Sequence, residues 1–203
     1  MHTRIKICGI TNLEDALLCA EYGADALGFI FCSSPRRISP ENARMIIKKL
    51  PPFIIPVGIF KDMPTDSVIE IATFTGISII QLHGLETPEY CQKLKNLRII
   101  KRIKVSNNTN RREVIEEMRR YYNISAFLFD PGEGSGKIFD WEIVKNVTGR
   151  IIIAGGLNEI NVGRMIRILK PYGVDVCSGV ERNIGKKDPL KVKNFIREVR
   201  RCY

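Results

Sequence analysis

The chain has 203 residues and a formal net charge of +10, enough length to bury one sizeable hydrophobic core. No stretch is apolar for long enough to span a bilayer and no apolar N-terminal run resembles a secretion signal, so a cytoplasmic protein with no membrane partner is expected. The six cysteines are scattered, without a CxxC pair or a histidine at ligand spacing, which argues against a zinc site and a disulfide framework.

Arg4 to Cys8 alternates apolar residues and ends at Gly9, as a first strand would. Asn12 can cap a helix through Tyr22, with Leu13, Ala16, Leu17 and Ala20 on one face. Ala24 to Phe31 reads as strand 2. Ser33 to Arg37 is a basic turn, and Ser39-Pro40-Glu41 opens the second helix with a cap and a first-position proline. Phe53 to Phe60 is strand 3, with a helix expected over Asp62 to Phe74. Ser78 to Leu82 is strand 4, and Thr87-Pro88-Glu89 starts the next helix. Arg98 to Val105 is strand 5, followed by a charged helix over Asn108 to Tyr122. Ser125 to Phe129 is strand 6, closing at Asp130; a glycine-rich loop over Gly132 to Gly136 then leads to a short helix expected over Phe139 to Val147. Arg150 to Ala154 and Gly173 to Cys177 are short Ile/Val runs with glycine-bearing turns after them, the look of strands buried on both faces. Asp188-Pro189 caps a last helix to about Arg201.

Eight strand–helix alternations of roughly 25 residues imply right-handed βαβ units. A doubly wound open sheet is the alternative; eight even units favour closure into a (β/α)8 TIM barrel, a single domain over residues 1–203. The basic pairs Lys48-Lys49, Arg111-Arg112, Arg119-Arg120, Lys186-Lys187 and Arg200-Arg201 are spread out, with no aromatic residues interleaved as stacking platforms. They read as solvated helix faces that help steer anions, not as a nucleic-acid surface.

Polar residues at the C-terminal ends of barrel strands surround the active site of this architecture. Those ends carry Lys6, Cys8, Gln81, His83, Lys101, Asp130, Gly155, Asp175, Ser178 and Glu181, with Arg36 in the loop after strand 2. Gly155-Gly156 and Ser178-Gly179 follow strands 7 and 8, and bare backbone N–H groups there would cup a phosphate. Cys8 and Asp130 each close an apolar strand where a hydrophobic residue would be the ordinary choice. A thiol of lowered pKa can act as a base, and a carboxyl of raised pKa as an acid. Plainer readings exist for each. A strand-end cysteine is more often a small buried hydrophobe, Asp130-Pro131-Gly132 is a common turn initiator, Arg36 could be surface charge, and His83 a satisfied structural histidine. Gly132 to Gly136 reads as either a plain turn or a mobile loop over substrate.

Lys6-Ile-Cys-Gly-Ile-Thr11, Ala24 to Phe31, Gln81-Leu-His-Gly84, Gly134-Ser-Gly-Lys137 with Phe139-Asp-Trp141, Ala154-Gly-Gly-Leu-Asn158 and Asp175-Val-Cys-Ser-Gly-Val-Glu181 together resemble the phosphoribosylanthranilate isomerase family, in order and over nearly the whole chain. The resemblance implies an Amadori rearrangement of N-(5-phosphoribosyl)anthranilate in tryptophan biosynthesis, with no metal or cofactor. It implies Cys8 as general base and Asp130 as general acid. Arg36 would meet the anthranilate end of the substrate, and His83 and Asp175 would join it in the site. Gly155, Gly156, Ser178 and Gly179 would hold the phosphate. A sister isomerase of histidine biosynthesis would present aspartate at the end of strand 1, where this chain has Cys8, and an indole-glycerol-phosphate synthase would need an N-terminal extension and an early catalytic lysine. A non-enzymatic phosphate-binding barrel would leave Cys8 and Asp130 without a role. The expected partner is a small phosphorylated substrate, and the expected assembly is a monomer or homodimer.

Overall fold

The computed structural model describes residues 2–132 and 138–203. The strands are β1 (Arg4–Cys8), β2 (Ala26–Ile30), β3 (Ile55–Phe60), β4 (Ile79–Leu82), β5 (Arg98–Lys104), β6 (Ala126–Asp130), β7 (Ile151–Ile153) and β8 (Gly173–Val176). They pair in chain order as a closed barrel, and β1 returns to β8 in parallel with Ile7 opposite Val176. The helices are α1 (Leu13–Glu21), α2 (Pro40–Ile47), α3 (Thr65–Thr75), α4 (Pro88–Lys93), α5 (Arg111–Arg119), α6 (Val162–Leu169) and α7 (Pro189–Arg200). None is long and apolar enough to cross a membrane among the described residues.

The local chemistry explains most boundaries. Asn12, Ser39, Thr87 and Asp188 accept backbone N–H bonds in the first turn of α1, α2, α4 and α7, as their sequence positions predict. Asn110 does so for α5 and forms a full capping box with Glu113, so that helix starts later than Asn108. Two further expected helices are shortened. α3 begins at Thr65 because Asp62 sits at φ 50° and Pro64 disfavours helical backbone in the residue before it. The helix expected over Phe139 to Val147 is only a 3-10 turn at Trp141–Val144; Asn146 at φ 59° and Gly149 at φ 116° stop it.

Side-chain alternation along the strands separates two apolar regions. Val57, Ile100, Ala126, Leu128, Ile152 and Ala154 fill the barrel interior. A larger cluster, including Ile5, Ile7, Phe29, Phe129, Val174 and Phe195, lies between the barrel and its helices. Counting by twos from the interior residues and from Ile79 packed against them, the inward rows of β4, β5 and β6 reach Gln81, Arg102 and Asp130. On β1 and β8, where Ile5, Ile7, Val174 and Val176 belong to the outer cluster, Cys8 and Asp175 take the inward places. After β8 comes a feature that no sequence signal announced. A 3-10 turn, Ser178–Val180, runs into an antiparallel hairpin of β9 (Glu181–Asn183) and β10 (Lys186–Lys187), with Lys187 opposite Glu181.

Candidate active site

A cavity of about 420 Å³ opens at the C-terminal end of the barrel. Cys8, Arg36, Gln81, His83, Asp130, Gly155, Gly156, Asp175, Ser178 and Gly179 line it as expected from the sequence, whereas Lys6, Lys101 and Glu181, read from the same strand ends, do not. The glycine loop lies outside the described residues beyond Gly132, as does the Gly134–Lys137 stretch.

Cys8 closes β1 and is buried. Its place in the wall requires a glycine opposite. Gly28 is its register partner on β2, and a Cβ there would come within 2.8 Å of Cys8 Sγ. The thiol is lowered from 9.0 to about 7, first by a hydrogen bond from the Cys177 thiol, then by the Lys6 and Lys187 ammonium groups; burial and Asp175 oppose this. Cys177 is pushed well above its usual value, chiefly because it donates that bond. Lys6 Nζ binds Asp175 Oδ1 at 2.8 Å. Burial alone would lower the Lys6 ammonium, but Asp175 and Cys8 reverse the balance and raise it. Asp175, expected to meet substrate, therefore already holds a buried cation beside the thiol.

Across the mouth, three strands away around the ring through β8 and β7, Asp130 ends β6. Its Oδ2 lies 3.3 Å from His83 Nε2 and 3.9 Å from Arg102 Nε, while Oδ1 accepts the Gly132 N–H at 3.1 Å. That last bond is the turn-initiator geometry suggested by Asp130-Pro131-Gly132, so the aspartate both shapes its turn and faces the cavity. His83 is oriented from behind by Gln81, whose Nε2 lies 3.0 Å from His83 Nδ1. Gln81 Oε1 and Arg102 Nε are buried without a hydrogen-bond partner among the described residues.

The two glycine turns meet where β7 and β8 end. Gly155 and Gly156 have φ of 85° and 62°, left-handed backbone that favours glycine. A side chain on Gly155 would strike the Pro131 ring, and one on Gly179 would overlap the carbonyl oxygen of Leu157. The backbone N–H groups of Gly155, Gly156 and Leu157 have no protein partner among the described residues, so the turn offers donors to an anion.

Arg36 reaches the cavity but is already engaged. Its Nε and Nη2 grip the Glu181 carboxylate at 2.9 and 2.7 Å, and burial of Glu181 is outweighed by Arg36 and Lys187, which lower its pKa. Two sequence expectations are corrected here. Lys101 points outward by strand alternation and pairs with Glu86 at 2.8 Å beneath Tyr121, away from the cavity; its neighbour Arg102 takes the inward place. Lys187, grouped with the solvated basic residues, is 1% exposed, because the hairpin turns it under the barrel mouth. The other members of those basic pairs are exposed as expected. Among the described residues no group of three or more His, Cys, Asp or Glu is placed to hold a metal ion.

The chain is similar to known proteins of one family. Residues 5–198 match the family model of N-(5'phosphoribosyl)anthranilate (PRA) isomerase. The N-(5'-phosphoribosyl)anthranilate isomerase of Pelobacter propionicus is 46% identical over 202 residues, covering 96% of this chain and 94% of its own. A structure of monomers generated from the dimeric phosphoribosylanthranilate isomerase of Thermotoga maritima superposes with a TM-score of 0.88 at 38% identity, covering 98% of both chains. A phosphoribosyl anthranilate isomerase in complex with reduced 1-(o-carboxyphenylamino)-1-deoxyribulose 5-phosphate gives 0.86 at 38% identity, again over 98% of both.

Proposed function

The chain belongs to the N-(5'-phosphoribosyl)anthranilate isomerase family, aldose–ketose isomerases of tryptophan biosynthesis, and on that premise we propose how its own residues carry the reaction. The substrate is N-(5-phosphoribosyl)anthranilate, a cyclic aminoaldose, and the product is 1-(2-carboxyphenylamino)-1-deoxyribulose 5-phosphate. Asp130 donates a proton to the ribose ring oxygen. The C1′–O bond breaks as the anilino nitrogen lone pair forms C1′=N, giving the open Schiff base. The Cys8 thiolate then removes the C2′ proton, and those electrons form C1′=C2′ while the nitrogen is neutralised. The resulting enolamine tautomerises to the ketone at C2′. Atoms are conserved and no electrons leave the substrate, so one acid and one base suffice.

The observation that carries this reading is the facing pair. A buried thiol lowered to about 7 stands on β1, and a carboxyl held by His83 stands across the cavity on β6. The backbone donors after β7, with Ser178 and Gly179 after β8, are the phosphate grip. That anchors C5′ and leaves C1′ and C2′ between the two groups. Arg36 takes the anthranilate carboxylate. Every group with a role comes from one barrel, so a single chain holds a whole site whether the assembly is a monomer or a homodimer.

The test is turnover of freshly generated phosphoribosylanthranilate, followed by loss of its anthranilate-type fluorescence, for the native chain, Cys8→Ser and Asp130→Asn. A serine hydroxyl cannot ionise near neutral pH and an amide cannot donate an acidic proton. Each variant is therefore expected to lose on the order of 10²–10⁴ in kcat while keeping its fold. Near-native turnover in either variant removes that residue from the mechanism.

A further inference from the structure

We propose that Glu181 and Lys187, paired across the β9–β10 hairpin, are positioning residues that set Arg36 to read the carboxylate of the substrate. The inference rests on the substrate assigned above. Hairpin register puts Lys187 opposite Glu181, and Gly185, at φ 75° in the turn, donates its N–H to Glu181 Oε1 at 3.2 Å. The turn is tied down in the other direction too, since Thr11 Oγ1 donates to the Gly185 carbonyl at 2.6 Å. Glu181 is thus fixed before Arg36 is considered.

A guanidinium has two forks for a carboxylate, one along its side (Nε with an Nη) and one at its end (Nη1 with Nη2). Glu181 occupies the side fork, with contacts of 2.9, 3.1 and 2.7 Å. Arg36 Nη1 has no partner among the described residues, so the end fork is left for a ligand in the cavity that Arg36 lines. A planar carboxylate is the anion that an end fork takes with two parallel bonds.

Charge decides whether a second carboxylate can approach. Arg36 and Glu181 alone would be a neutral pair, and an incoming anion would meet the Glu181 charge as well as the guanidinium. Lys187 changes that balance. Its ammonium, enclosed completely, donates to Glu181 Oε1 at 3.1 Å, to the Cys8 carbonyl at 2.6 Å and to the Cys177 carbonyl at 3.4 Å. The carboxylate of Asp15 meets the backbone N–H of Lys187 and not its ammonium. Within the bonded set two cations share one carboxylate, and the positive charge left over serves both the neighbouring Cys8 thiolate and a carboxylate at the open fork. The same ammonium grips the carbonyl of Cys8. The carboxylate reader and the base are therefore registered to each other through a single side chain.

The experiment compares two competitive inhibitors: reduced 1-(o-carboxyphenylamino)-1-deoxyribulose 5-phosphate and its N-phenyl counterpart without the ring carboxylate. In Glu181→Gln the loss of the fixed side fork is expected to outweigh the relief of the Glu181 charge, so the carboxylated inhibitor should bind roughly tenfold more weakly. The N-phenyl compound should stay within about twofold, and KM for the substrate should rise more than kcat falls. Lys187→Met should act in the same direction and Lys187→Arg should restore part of the loss. If the single variants do not fold, Glu181→Met combined with Lys187→Met removes both buried charges together, and the same selective loss is expected. Equal weakening of both inhibitors would mean a merely structural role and overturns the inference while leaving the isomerase reading in place. Native protein that binds both inhibitors equally overturns the assignment of the carboxylate to Arg36, and the inference with it.

Discussion

Cys177→Ala is the sharpest probe of Cys8 as the proposed base. The fall of Cys8 from 9.0 to about 7 favours the thiolate by roughly 2–3 kcal/mol, and the hydrogen bond from Cys177 is its largest cause. A hydrogen bond to a charged group contributes about 1.5 kcal/mol, so its loss should raise the Cys8 midpoint by about one, to near 8. The sign follows from the direction of the shift. A lowered thiol is a base above its midpoint, so raising the midpoint removes base at neutral pH and returns it when the solution is alkaline. At pH 7 the thiolate fraction would drop from about one half to about one tenth, a loss of roughly fivefold in kcat/KM that vanishes near pH 9. The assay is the pH dependence of kcat/KM on phosphoribosylanthranilate, together with the pH dependence of Cys8 alkylation by iodoacetamide in the unliganded protein. Both acidic limbs should move together. An alkylation midpoint that stays near 7 in Cys177→Ala refutes the proposed origin of the basicity and leaves Lys6 and Lys187 to explain it.

Two further outcomes test the frame around the chemistry. Lys101→Met strips the cation from Glu86 where both side chains are buried (2% and 1% exposed), and should cost about 3–5 kcal/mol of stability. Urea unfolding should show this loss, with kcat of the remaining folded protein unchanged, because Lys101 lies outside the cavity wall. Gly179→Ala forces a methyl group onto the Leu157 carbonyl, so the turns after β7 and β8 must separate. Competitive inhibition by inorganic phosphate should weaken by about tenfold or more, and unchanged inhibition would place the phosphate elsewhere.

How far the sequence reaches is best seen in three lysines. Cys8, Asp130 and the glycine turns were legible because each sits where an apolar run stops, and a run of that kind reports its own ends. Lys101 and Arg102 share the end of one strand, so finding the strand does not separate them. The alternation does, once Ile100 is known to face the interior, and it assigns the mouth to Arg102. Lys186 and Lys187 are harder still. They are the same residue type, side by side in a short segment with no hydrophobic pattern, so composition gives both to solvent. The structure exposes Lys186 and buries Lys187, and the difference is an irregularity between them that sets Lys186 opposite Asn183 and Lys187 opposite Glu181, the single acid of the partner strand. A regular ladder would bring Lys187 opposite Arg182 and leave Glu181 facing Arg36 alone. What pins the register is tertiary: Thr11 holding Gly185, Asp15 taking the Lys187 N–H, and the Cys8 carbonyl waiting for its ammonium. All three partners lie more than 170 positions away in sequence. A local reading could therefore place Cys8 and Asp130 at the barrel mouth, but not the buried cation that joins Cys8 to Glu181 and Arg36.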